Sequence, residues 1–110
     1  MKRFYLALVF LAIAEVSISA QDCIETVNNS LSIVSKQNFG GPDCLFTIRF
    51  CLKKSTADAK TVEYAVNHTY GTMTRVKNIE NFPVGTVFCE DFTFVAECNS
   101  TASFLAEGKR

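Results

Sequence analysis

The chain has no tryptophan, a single histidine, and no net charge, with 11 basic and 11 acidic residues among 110. Each absence excludes a class of function. A balanced charge leaves no electrostatic footprint for DNA, RNA or an anionic membrane surface. One histidine and no CxxC spacing rule out the common zinc patterns, so neither a metal nor a cofactor is expected. There is no Gly-rich phosphate loop and no GxSxG elbow. The catalytic inventory is correspondingly thin. His68 falls on the apolar side of a candidate strand, between Val66 and Tyr70, where an imidazole is a packed residue rather than a general base. Glu80, Glu90, Asp91 and Glu97 read as solvated charge, with no second constellation to make them paired acid and base. No catalytic residue is assigned, and no enzymatic activity is expected.

What is present begins at the N-terminus. Lys2 and Arg3 precede an apolar stretch from Phe4 to Ala14, Glu15 ends it, and Ser17, Ser19 and Ala20 supply small residues. This is the layout of a secretory signal peptide. The stretch is too short to span a bilayer, so no membrane anchor is expected. Cleavage is favoured after Ala20, with Ile18 and Ala20 at the −3 and −1 positions, and Ser19 is the rival. Residues 21–110 would then form one secreted, extracellular domain. Removing residues 1–20 takes away Lys2, Arg3 and Glu15, leaving 9 basic and 10 acidic residues, a net charge of −1. Arg49, Lys53, Lys54 and Lys60 gather in one region and read as a solvated loop.

A domain of 90 residues buries too little apolar surface to rest comfortably on its core alone. Its five cysteines, Cys23, Cys44, Cys51, Cys89 and Cys98, are the natural second support in an oxidising compartment. Five allow at most two internal bridges, in fifteen possible connectivities.

Periodicity supplies the elements. Asp22 and Glu25 resemble a capping box, and Ile24, Val27, Leu31 and Val34 recur at spacings of three, four and three, predicting a helix over residues 23–37. Gly40-Gly41-Pro42 would end it. From Cys44 the period is two: Cys44, Phe46, Ile48 and Phe50 share a face. In residues 61–70, Val62, Tyr64, Val66, His68 and Tyr70 alternate with Thr61, Glu63, Ala65, Asn67 and Thr69. A weaker strand follows Gly71 at 72–77, and another covers 86–98, where Phe92, Phe94, Ala96 and Cys98 share a face. The tail after about residue 101 is expected to be loosely ordered. The expected fold is α+β: one N-terminal helix followed by about four antiparallel strands in a small disulfide-linked domain. Antiparallel pairing of 44–51 with 89–98 would bring Cys51 near Cys89 and Cys44 near Cys98, leaving Cys23 over and a disulfide-linked homodimer open. Other registers would join other cysteines.

Three N-x-S/T sequons, at Asn28, Asn67 and Asn99, mark sites for N-glycans and hence for exposed surface. The C-terminal Gly108-Lys109-Arg110 opens a peptide-hormone alternative, in which the basic pair is trimmed and the chain amidated at Gly108. A protease inhibitor is a further alternative. The helix-then-strands outline resembles cystatins, but the QxVxG segment and the Pro-Trp pair are missing, so any such inhibitor is of another type.

The short signal, the mature start at Gln21-Asp22-Cys23, the five cysteines and the three sequons together resemble the small glycosylated proteins of tick saliva. The layout is similar to the salivary inhibitors of the lectin pathway of complement. That resemblance implies a secreted glycoprotein that binds a host-defence protein, mannose-binding lectin or another complement component, with the glycans on Asn28, Asn67 and Asn99 contributing. Exposed members of the aromatic set Tyr64, Tyr70, Phe82 and Phe88 are candidate contacts.

Overall fold

The computed structural model describes residues 2–6, 15–20 and 23–110. Residues 7–14 of the apolar stretch lie outside the described residues, as do Gln21, which would start the mature chain, and Asp22 of the expected capping box. Eight strands are described, and they are β1 (Lys2–Leu6), β2 (Glu15–Ala20), β3 (Ile24–Asn38), β4 (Asp43–Lys54), β5 (Thr61–His68), β6 (Gly71–Asn78), β7 (Val87–Glu97) and β8 (Ser103–Lys109). They form two sheets, ordered β3-β4-β7 and β1-β2-β8-β5-β6. All pairs are antiparallel except β2 with β8.

The expected α+β fold is therefore corrected: no helix occurs among the described residues, and the fold is a β-sandwich. Residues 24–38 form a long strand along β4, from Ile24 opposite Lys54 to Asn38 opposite Cys44. The misreading has a physical origin. The pairing shifts register between Thr26 and Leu31 and again between Ile33 and Ser35. Bulges of this kind break the period of two, and the resulting spacing of apolar residues imitates a helical stripe. At the first shift, Val27 N–H donates to Ser30 Oγ at 2.7 Å, and the Ser30 hydroxyl donates to the Val27 carbonyl. Leu31 is buried and Ile33 packs against the core, whereas Val34 is 48% exposed. Ile24, Thr26, Val27, Ile33 and Val34 are β-branched, and Asn28 and Ser30 are poor helix formers, so local preference agrees with the extended chain. Glu25, expected to cap a helix, instead pairs with Lys53 across the strands at 2.7 Å.

The tail expected to be loose is also corrected. β8 pairs with β5 from Ser103 opposite Asn67 to Lys109 opposite Thr61, and Phe104, Ala106 and Gly108 are buried.

Alternation elsewhere holds. In β4 the inward set Cys44, Phe46, Ile48, Phe50, Leu52 and Lys54 is buried, and in β5 it is Val62, Tyr64 and Val66. The core is aromatic. Tyr64 meets Phe50 and Phe92 at ring-centroid distances of 5.8 and 5.2 Å, and Phe94 meets Phe46 at 5.7 Å and Phe104 at 6.3 Å. Tilted and edge contacts at these distances are the favourable aromatic arrangements.

Candidate binding surface

The bridges are Cys44–Cys98 and Cys51–Cys89, with Cα separations of 5.0 and 4.1 Å. They follow from the pairing of β4 with β7, which sets Cys51 directly opposite Cys89 and Cys44 opposite Ala96, two residues before Cys98. Cys23 is fully buried beside β8.

Of the four candidate contact aromatics, only Tyr70 is presented to solvent, at 55% exposure. Tyr64 and Phe88 are buried, and Phe82 packs on Phe88 at the core margin. The sequence reading missed Phe39, which is 57% exposed. Its signal was available: a large apolar residue directly before Gly40-Gly41-Pro42 sits at a turn, where it has little core to reach. The structure makes that turn a hairpin tip, with φ of 95° and 72° at Gly40 and Gly41, a left-handed conformation that suits glycine.

Phe39 and Tyr70 both flank Asp43. Phe39 N–H donates to the Asp43 carbonyl at 3.1 Å, and the Tyr70 hydroxyl donates to Asp43 Oδ1. That hydrogen bond foremost, then desolvation and the negative charge of Asp43 and Glu97, pushes the Tyr70 phenol up to about 12. Glu97 stands opposite Asp43 on β7. The tip is tied down from two sides. Cys98 N–H donates to the Pro42 carbonyl at 2.7 Å, and Gly40 N–H donates to Asn38 Oδ1 at 2.6 Å. One end of the sandwich thus presents two aromatic rings beside two carboxylates, Phe39 on backbone fastened next to a disulfide and Tyr70 reaching Asp43 from the β5–β6 turn.

The sequon asparagines are all exposed. Asn67, on the outer face of β5, accepts a hydrogen bond from the Thr72 hydroxyl at 2.6 Å. Asn99 directly follows Cys98, so a sugar there would stand beside the Phe39 end. Asn28 lies at the first register shift of β3, remote in sequence from the hairpin tip.

Other residues singled out from the sequence are dispersed. His68 is half-buried, stacked on Phe94 at 4.9 Å, and its Nδ1 accepts the Tyr70 N–H at 3.3 Å. The four cations form no patch: Arg49 pairs with Asp91, Lys53 with Glu25, and Lys54 is 1% exposed. Lys54 Nζ donates to the carbonyls of Ile79 and Glu80 at 2.9 and 3.0 Å, fixing the segment that leads into residues 79–86. Glu90 points inward and receives Arg75 at 3.0 Å and Lys77 at 2.8 Å. Gly108 is buried in β8, Lys109 bridges Glu63 and Glu107, and Arg110 pairs with Asp58, so the C-terminal triplet is integrated into the fold.

Among the described residues, no group of three metal-binding side chains occurs, and no helix is long and apolar enough to cross a membrane. The two disulfides are compatible with an extracellular protein. No protein-family model, curated protein or solved structure matches the chain.

Proposed function

We propose that this chain is a secreted, N-glycosylated binding protein that acts on an extracellular host-defence protein through the Phe39/Tyr70 end. One observation carries the reading: two aromatic rings, each more than half exposed, meet at one end, Phe39 on the hairpin tip beside the Cys44–Cys98 bridge and Tyr70 on the β5–β6 turn, tied by its hydroxyl to Asp43. Exposed aromatics on a rigid support lose little conformational entropy on binding, and this is the composition of an interface hot spot. Asp43 and Glu97 beside them favour a partner surface carrying lysine or arginine. The layout resemblance to salivary lectin-pathway inhibitors supplies the target class: a complement component that starts the pathway from mannose-binding lectin. Integration of Gly108 into β8 gives the amidated-hormone alternative no support.

The test is inhibition of lectin-initiated complement deposition by the secreted protein and by Phe39→Ala, Tyr70→Ala and the combined Asn28→Gln, Asn67→Gln, Asn99→Gln variant. Loss of inhibition by at least one aromatic variant, with its melting temperature unchanged, supports the surface. Inhibition by both aromatic variants at the wild-type level removes that end from the mechanism. Unchanged inhibition by the sugarless variant removes a glycan contribution.

A further inference from the structure

An unpaired strand edge is a row of free N–H and C=O groups that invites another chain, and sheets defend such edges with inward charges, bulges, prolines or cover. Three margins of this sandwich are defended. β3 carries two register shifts, β7 turns Glu90 inward, and β6 turns Arg75 and Lys77 inward to meet it. β8 has no bulge, proline or inward charge, and its charged residues Glu107 and Lys109 alternate with the inward positions. Its inward positions are Phe104, Ala106 and Gly108, its ladder with β5 runs from Ser103 to Lys109 without a shift, and it contains no proline. On its far side, β8 is covered by residues Glu15–Ser19, paired in parallel with Ser103–Glu107. Those residues belong to the segment that the signal-peptide reading removes on export, so among the described strands the margin laid bare in the mature chain is one without a bulge, proline or inward charge.

We infer that the mature chain forms a twofold homodimer by antiparallel pairing of β8 with β8 of a second copy, an inference that rests on removal of residues 1–20. The edge recurs on every copy, and its sequence is self-complementary. Centred on Leu105, the pairing sets Ser103 against Glu107 and Phe104 against Ala106, with no like charges opposite. It also brings Leu105 to its counterpart on the outer face, where Leu105, Ala65 and Val76 already line one shallow depression. The core rows of both copies then run on into each other, through Phe104 and Ala106. A sugar on Asn67 stands on the sheet face and leaves the edge clear.

The full coding sequence is expressed in insect cells, and the secreted protein is deglycosylated. Its N-terminus is read by mass, its molar mass by light scattering, and its amide exchange residue by residue. The expected result is a chain starting at Ala20 or Gln21, a dimer mass, and slow exchange that quickens on dilution at those amides of Ser103–Glu107 that point away from β5. Leu105→Lys places two ammonium groups opposite each other on a half-exposed position and should give a monomer with an unchanged melting temperature. A mature monomer, or fast exchange at every concentration at those amides of Ser103–Glu107 that point away from β5, overturns the inference and leaves the export reading standing. A secreted chain that retains residues 1–20 overturns both.

Discussion

A methyl group added at Gly108 would lie 2.6 Å from Cys23 Sγ and 2.9 Å from Ile24 Cγ1, both inside the core. The position is glycine because the start of β3 crosses β8 with no room for a side chain, not because its backbone is unusual. Gly108→Ala should destabilise the fold by about 1–3 kcal/mol, the usual cost of overpacking, read as a lower denaturant midpoint. A second residue-scale expectation concerns Tyr70. Its phenol is raised to about 12 while an unfolded tyrosine titrates near 10. A group with a raised folded pKa contributes stability that is complete below its unfolded value and lost as pH rises through the folded one. The tie between Tyr70 and Asp43 should therefore hold below pH of about 10 and fail by about 12. Asp43→Asn should return the Tyr70 titration, followed by ultraviolet absorbance, toward the ordinary tyrosine value. No movement of that titration would show that the hydrogen bond does not set it.

At the scale of elements, β6 and β7 close one side of the sandwich with charge rather than hydrocarbon. Arg75 lies over the Phe92 ring at 4.5 Å and bonds the Asp91 carbonyl at 2.7 Å while pairing with Glu90. Desolvation pushes the Glu90 carboxyl up, but the bonds from Lys77 and Arg75 outweigh it and hold it below the usual glutamate range. A depressed carboxylate contributes stability above its unfolded pKa and loses it as pH falls through the folded value. The seam should accordingly weaken in acid, below the ordinary glutamate range. Glu90→Gln should cost about 2 kcal/mol at neutral pH, the scale of charged hydrogen bonds, and should flatten the acid limb of a stability-against-pH curve. An unaltered acid limb would place the titrating group elsewhere.

These elements also show what was legible beforehand. β5 was readable because Val62, Tyr64 and Val66 alternate without interruption, and β4 because Cys44 to Phe50 does the same. β3 was not, since its register shifts displace the apolar residues from that alternation. β8 was hidden by composition: Ala106 and Gly108 are too small to announce a buried face, although burial there is complete enough to exclude a methyl group. Of the candidate surface, Tyr70 is legible by residue type and Phe39 by its place before Gly40-Gly41-Pro42, but their meeting at Asp43 depends on which strands come together at the hairpin tip.

For the whole molecule, the sulfur bonds dominate the unfolded state. Cys44 and Cys98 are 54 residues apart, and closing a loop of that length is worth about 4 kcal/mol in the chain-entropy account. With Cys51–Cys89 still closed the ring is much shorter, so the double variant Cys44→Ala, Cys98→Ala should lose about 3 kcal/mol in chemical denaturation. The Cys51–Cys89 loop, with a separation of 38, lies wholly inside the first. Once one bond exists the other closes a much smaller ring, so each single loss is cushioned by the bond that remains, and removing both should cost more than the two single losses added together. Strict additivity would contradict the nested arrangement. That nesting also fixes where the molecule gives way. β5 and β6 hang from a neck pinned twice, with both pins on the strands that border the neck and none within the loop itself. Under heat or tension the hanging pair can peel from β8 and drift, while the pinned ladder of β4 and β7 endures as a hinge from which the rest zips shut again.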